Sequence, residues 1–428
     1  MPEEKPIQEP QPASPGESGK RTTSRAEKVM KTATLVAFLT GVFTFACTLF
    51  RSQVLSSGAP RFFSDLPSHI RNARLIFEGD LRSTQAGYKF MIYWPAKLLG
   101  ISLKNSGIIV TALLVVLIAA VIYLILKKSL DNEYSHMTLL FATAVLLVVS
   151  TIYVPFFSKY LYGGQGTPNT WHNPTTIAVK PFAFFAFWLF PLVLARPFRG
   201  RDIWYYVLLA LVVLASAYTK ASFVAVFVPA VCLMVLLRGS KEMLWKSSLV
   251  LLPCLALLAV QFFATFGQGA DAEPVMVMWQ GKERAVFAPD QMIISFLGVW
   301  RTKSSCIPVS ILLALAFPLS VLICRFRRVI KDRHLSLAWV MVIVGILEYA
   351  VLAEKRRFAH GNFAWGYYIA MQILFIFTMI EYLRWYRTQD RAGTQEQAGF
   401  WVTSGVLGLH LVSGFYYTAK ILTGGSYM

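Results

Sequence analysis

About eleven separate runs of mostly apolar residues, each close to the ~20 residues that span a hydrocarbon layer, restrict this chain more than any other feature. They lie roughly at 33–51, 107–126, 137–155, 176–196, 203–219, 221–237, 247–266, 307–324, 335–353, 363–383 and 400–419. In lipid every backbone polar group needs an internal partner, so runs of this length are expected to be helices. The expected fold is therefore an all-α, polytopic transmembrane helical bundle of about eleven spans. Charged residues make up only 15% of the chain and mean hydropathy is +0.54, too little polar surface to cover a water-soluble globule.

Positive charge sets the expected topology. Residues 1–28 are rich in Pro, Glu, Ser and Gly and read as a disordered cytoplasmic tail, with 29–428 forming the membrane domain. Lys20, Arg21, Arg25, Lys28 and Lys31 precede the first run, which reads as an uncleaved signal anchor with its N-terminus inside. Alternate loops then carry Lys127/Lys128, Arg196/Arg199/Arg201, Arg238/Lys241/Lys246, Arg325/Arg327/Arg328/Lys331/Arg333 and Arg384/Arg387/Arg391, as expected of inside segments. The apolar stretch 88–101, broken by Pro95 and Lys97, either lies in the interface or forms an extra span that would invert everything after it. The unbroken alternation favours the first option. The net charge of +19 is then largely topological, and no nucleic-acid motif competes with that reading. The five cysteines form no CxxC pair, so neither a disulfide framework nor a zinc site is expected.

The outer segments are more basic than topology requires. They hold Arg61, Arg71, Arg74, Lys282, Arg284, Arg301, Lys303, Lys355, Arg356 and Arg357, with Lys180 and Lys220 at outer span ends. Such cations either meet lipid headgroups or hold an anion such as a lipid phosphate. Four constellations lie on this face. In Ser64-Asp65-Leu66-Pro67-Ser68-His69 a short helix lying on the membrane puts Asp65 and His69 four residues apart on one face, with Asn72 beside them. Leu66, Ile70 and Phe77 make its apolar stripe. Asp65 is either a general base for an acceptor hydroxyl or a plain helix N-cap.

The second constellation, Trp171-His172-Asn173 in a Gly- and Pro-rich loop, suits stacking on and hydrogen bonding to a sugar; an interfacial Trp before a Pro-started helix is the simpler alternative. Lys180 and Lys220 form the third, as phosphate-binding or snorkelling cations. The fourth, Glu354-Lys355-Arg356-Arg357-Phe358-Ala359-His360-Gly361-Asn362, packs three cations, a His and an Asn into a very short loop. Arg356 and Arg357 suit bidentate phosphate contact, and Glu348 in the preceding span needs protein or water beside it. His69, His172 and His360 follow no metal-ligand spacing, so no cofactor is expected and a divalent metal stays an open alternative.

This arrangement resembles the GT-C class of polytopic glycosyltransferases, on the first-loop acid in SDLPSH, the many spans, the outer cations, and the Thr219-Lys220-Ala221-Ser222-Phe223 stretch, similar to a "K-P-S-F" turn with Ala221 replacing the proline. The resemblance covers about residues 30–380, and a single Asp65 followed by His69 departs from the paired acids of many members. It implies a sugar moved by an inverting enzyme from a polyprenyl-phosphate-linked donor to a hydroxyl on a glycan, lipid or protein acceptor, at the outer face of a bacterial plasma membrane. It implies Asp65 and His69 as catalytic residues, with Trp171, His172, Asn173, Lys180, Lys220, Glu354, Arg356, Arg357, His360 and Asn362 contacting substrate. No nucleotide fingerprint appears, in keeping with a lipid-linked donor, and no nucleic-acid partner is expected. The alternatives are a polymerase of lipid-linked repeat units, a lipid or solute transporter (flippase), and a membrane acyltransferase; the absence of visible repeats weighs against transport.

Overall fold

The computed structural model describes residues 24–56, 64–78, 85–130, 133–158, 160, 165–238, 240–267, 275–279, 282–287, 290–389 and 393–424, with backbone only for 275–279, 282–287 and Arg238. The tail to position 23, Arg61, Phe63, residues 161–164 and the side chains of Lys282 and Arg284 lie outside that description.

Fifteen α-helices run in order among the described residues: α1 (Arg25–Leu55), α2 (Leu66–Phe77), α3 (Gly87–Leu99), α4 (Leu103–Ser129), α5 (His136–Val148), α6 (Pro174–Leu194), α7 (Ile203–Thr219), α8 (Ser222–Arg238), α9 (Lys241–Phe266), α10 (Gly298–Arg301), α11 (Ile307–Cys324), α12 (Phe326–Lys331), α13 (Arg333–Val351), α14 (Ala364–Thr388) and α15 (Thr394–Leu422). Nine of these stretches are long and apolar enough to cross a membrane, and α5 and α8 are shorter apolar helices. Together they account for all eleven sequence runs. Polar side chains set several starts: Ser24, Ser102, Ser135, Ser240 and Asp332 each accept a backbone N–H of the first turn. Residues 24–28 thus belong to the capped start of α1 rather than to a tail.

Burial separates centre from rim. The spanning part of α14 is 89% buried, against 17% for α1 and 22% for α9. A helix that is apolar all round, as α14 is, belongs inside a bundle. It packs on α13, α8, α11 and α6. Gly345 makes the α13 crossing close: a Cβ there would sit 2.7 Å from the Tyr367 Cα. Gly345→Ala is expected to destabilise the bundle by about 1–3 kcal/mol through overpacking. A thermal-unfolding midpoint equal to wild type in matched detergent would refute that.

The 88–101 stretch forms α3, a helix of 13 residues with Pro95 inside it. It is not among the helices apolar and long enough to cross, nor among the shorter apolar helices α5 and α8, which agrees with the eleven-span reading. One expectation about its neighbour changes. Leu66 and Ile70 of α2 are buried in protein, with Ile70 filling the space above Gly107 of α4, instead of forming a membrane-facing stripe. The outward apolar surface of this helical pair is that of α3: Phe90, Trp94, Leu98 and Leu99.

The run at 137–155 is also not one helix. α5 stops at Val148, and the backbone continues unwound between α11 and α15. Its polar groups find partners: Ser150 N–H donates to the His410 carbonyl (3.3 Å), Ile152 N–H to the Leu313 carbonyl (3.3 Å), and Tyr153 N–H to Ser413 Oγ (3.0 Å). Buried His410 lies 2.7 Å from the Ser150 carbonyl through Nδ1 and accepts the Phe317 N–H at Nε2 (3.2 Å), which requires the Nδ1–H tautomer. Irregular backbone at this depth is tolerated because protein surrounds it.

Two short antiparallel strand pairs, absent from the sequence expectation, complete the fold: β1 (Val275–Trp279) with β2 (Lys282–Phe287), and β3 (Met292–Ile294) with β4 (Leu352–Glu354). The second pair ties the 267–306 segment to the α13–α14 loop. At the opposite ends of the helices the expected inside segments are cross-linked. Arg387 pairs with Glu133, Arg384 reaches the Ser129 carbonyl (2.9 Å) and Asp332 (3.5 Å), and Arg325 pairs with Glu381 and Glu396.

Candidate functional site

The α2 start, the loop before α6, the α7–α8 turn and the α13–α14 loop meet around one cavity of about 630 Å³. An extra span at 88–101 would have placed α2 on the face opposite the other three. Asp65, His69, Asn173, Lys220, Glu354, Arg357, His360 and Asn362 all line it. Leu258, Phe262 and Phe266 of α9, with Ala225 of α8, supply an apolar wall.

Asn173 joins the carboxylate to the amine. Its Nδ2 donates to Asp65 Oδ2 (3.1 Å), and its Oδ1 accepts from Lys220 Nζ (3.2 Å) and from Thr175 Oγ1 (2.7 Å). The same Oδ1 caps α6 by accepting the Thr176 N–H (3.0 Å). Asn173 holds φ 60°, ψ 106°, a conformation that costs a non-glycine residue of order 1–3 kcal/mol and is kept here by these bonds. Asp65 occupies the N-cap position of α2, but its side chain makes no capping bond; Ser64 Oγ accepts the Leu66 N–H instead (3.1 Å). The carboxylate is thus turned to the cavity, and Asn173, not His69, holds it.

His69 packs edge-on against Tyr88, and its Nδ1 is buried without a partner. Burial, then the nearby charges of Lys89 and Lys220, push this imidazole down to about 3, so it is neutral near pH 7. Lys220 Nζ also donates to Thr175 Oγ1 (3.1 Å) and Thr176 Oγ1 (2.7 Å) and sits 4.2 Å from the centre of the Trp365 ring. Burial lowers it to about 7, with Asp65 opposing and Lys89 and Lys180 adding to the drop. Burial likewise lowers Lys89 to about 8. Both amines therefore lose charge as pH rises through about 7–8. Affinity for an anion placed in this cavity is expected to fall between about pH 6 and 9. Flat affinity across that range would show that these amines do not hold the anion.

On the α13–α14 loop, Arg357 is pinned between two acids: Nε donates to Asp290 Oδ2 (3.1 Å) and Nη2 to Glu354 Oε1 (3.1 Å). Asn362 donates to the other Glu354 oxygen. Burial raises Asp290, but the N–H groups of Arg356 and Gln291 and the Arg357 guanidinium outweigh it and hold it below the usual range. Burial raises Glu354, only partly offset by Arg357 and Asn362. Glu348 of α13 faces the same cavity; among the described residues its side chain has no ion pair or hydrogen bond.

Four sequence candidates lie off the cavity. Trp171 is buried edge-on against Phe45 of α1, with ring centres 4.9 Å apart. His172 is buried behind Trp365 (5.5 Å), where burial and then Lys220 and Lys180 hold it well below the usual range. Lys180 donates to the Asn169 carbonyl (2.7 Å) in the interior and so orders the loop that carries Asn173. Arg356 is exposed, and its backbone N–H donates to Asp290 (2.8 Å). Sequence reasoning missed Lys89, which lines the cavity and donates to the Gln85 carbonyl (2.8 Å); its one sequence signal is a lysine inside an apolar stretch. Asp290, which fixes Arg357, carried no local motif. Among the described residues no three His, Cys, Asp or Glu side chains group as metal ligands would.

No family model matches the chain, and no curated protein does. Among solved structures the chain is similar to the crystal structure of ArnT from Cupriavidus metallidurans in the apo state, with TM-score 0.49 and 10% identity, covering 92% of this chain and 75% of that one.

Proposed function

We propose that this chain is a membrane glycosyltransferase of GT-C type that moves a sugar from a polyprenyl-phosphate donor to an acceptor hydroxyl, with inversion, at the outer face of a bacterial inner membrane. One observation carries this reading: Asp65 and Lys220, joined through Asn173, share a cavity with Arg357 and an apolar wall. Asp65 takes the proton of the acceptor hydroxyl. The freed oxygen attacks the anomeric carbon, and the bond from that carbon to the phosphate oxygen breaks with its electron pair. Lys220, Lys89 and Arg357 stabilise the charge that grows on the leaving lipid phosphate, usually the largest catalytic contribution. Glu348, which would repel that phosphate, accepts hydrogen bonds from sugar hydroxyls farther along the cavity. Partly exposed Phe262 on α9 supports entry of the prenyl chain from the bilayer. The basic clusters at the other ends of the helices support an outward-facing site.

Deleting the gene tests the reading. A polyprenyl-phosphate monosaccharide is expected to accumulate while one sugar disappears from the surface glycans or lipids. Unchanged lipid-linked sugars, or accumulation of a lipid-linked oligosaccharide repeat, would reject it, the latter in favour of a polymerase.

A further inference from the structure

The cavity that holds Asp65 carries a further carboxyl group that no protein partner accounts for. Glu348 lies within the spanning helix α13, is half-buried, and lines the cavity. Among the described residues its side chain has no ion pair or hydrogen bond, and both its oxygens are open to the cavity. Oε2 lies beside the first turn of α14, 3.4 Å from where a Cβ on Gly366 would sit. The start of that helix also brings Phe363 and Trp365 to the cavity lining, and Phe363 stacks on Phe266 of α9 with ring centres 6.4 Å apart.

An acid within a span is costly and marks a substrate path unless the protein pairs it. Water can solvate the group but gives no reason for an acid at this position. The cavity is also polarised. At one end Asp65 and His69 lie within the field of the Lys220 amine, with Lys89 close by. On the α13–α14 side Arg357 is already shared by Asp290 and Glu354, so with Glu348 the acids there outnumber the cation. A donor seated with its phosphate on the amines directs its sugar to this acidic side. Two hydroxyls on adjacent ring carbons meet the two oxygens of one carboxylate in parallel, as the N–H groups of a guanidinium do, and bonds to an ionised acceptor are the stronger kind. A sugar with its own carboxylate or phosphate would meet like charge.

We infer that Glu348 selects the donor sugar, and that this sugar is uncharged and presents two adjacent free hydroxyls to it. The inference rests on the transferase reading and names the substrate class of that same site.

The test starts from the lipid-linked sugar that accumulates in the deletion strain. Its exact mass is measured before and after periodate, which cleaves the carbon–carbon bond between adjacent hydroxyls. A neutral sugar opened by periodate is the expected result. An acidic or amino sugar, or one that periodate leaves intact, would overturn the inference and leave the transferase reading standing. If no donor accumulates, the reading itself fails and the inference with it. The purified full chain is then given this donor, and release of polyprenyl phosphate is followed. Glu348→Gln keeps the size of the side chain and replaces one acceptor oxygen by a donor. It is expected to lower kcat/KM about 10- to 100-fold, the worth of a hydrogen bond to a charged group. Affinity for undecaprenyl phosphate, which has no sugar, should stay at the wild-type value in this variant. A wild-type rate with the donor would overturn the inference. So would an equal weakening of undecaprenyl phosphate, which would make Glu348 a structural group.

Discussion

Asp65→Asn is expected to lower turnover by about 10²- to 10⁴-fold, the usual worth of a positioned general base, at unchanged membrane abundance. The amide keeps the size of the side chain and loses its basicity. The fold should tolerate the change, because the Asp65 carboxylate makes no capping bond and α2 is started by Ser64. An Asn here also still accepts from Asn173 Nδ2 through its carbonyl oxygen. The measurement compares accumulated lipid-linked sugar and surface glycan in the Asp65→Asn, wild-type and deletion strains. A variant that matches the deletion while keeping its thermal midpoint identifies the base. Normal glycans in the variant would leave Asp65 a positioning group for Asn173 and remove it from the chemistry.

Lys220→Met is expected to cost about 10²- to 10³-fold in turnover, as when one preorganised donor to a developing anion is removed. The ammonium is buried, reaches three side-chain oxygens, and sits over Trp365. Loss of structure is not the expected cause, since Asn173 Oδ1 keeps the Thr176 N–H and both Thr hydroxyls as donors. Lys220→Arg should not restore activity, because a planar guanidinium does not fit a site built around a point charge. If Lys220→Met lowers the thermal midpoint but transfers sugar at the wild-type rate, the residue holds the loop and not the phosphate.

The eleven runs and the four outer motifs could be read from the chain because lipid imposes length on a span and charge on a loop. Where the reading slipped, one sequence pattern admitted two physical solutions. A lysine near a span end can face an anion or satisfy a carbonyl; Lys220 lines the cavity, whereas Lys180 takes the carbonyl of Asn169. A tryptophan before a proline can stack on a ligand or pack on a neighbouring helix, and Trp171 packs on Phe45. Residues 149–155 are as apolar as a helix, yet they are unwound, because His410 and Ser413 of α15 offer their backbone other partners.

The sequence by itself determined which apolar runs become long helices, their order along the chain, and the residue types concentrated in the loops between them. These are one-dimensional properties, fixed by hydropathy and charge along the chain. Only the tertiary structure decided that Asp65, Asn173, Lys220, Glu348 and Arg357 share one cavity, that Lys89 joins them, and that Asn173 rather than His69 holds the carboxylate. Those relations are distances between segments up to nearly three hundred residues apart. They follow from close crossings such as Gly345 against Tyr367 and Gly366 against Val226, which depend on shape and leave no periodic trace in the chain.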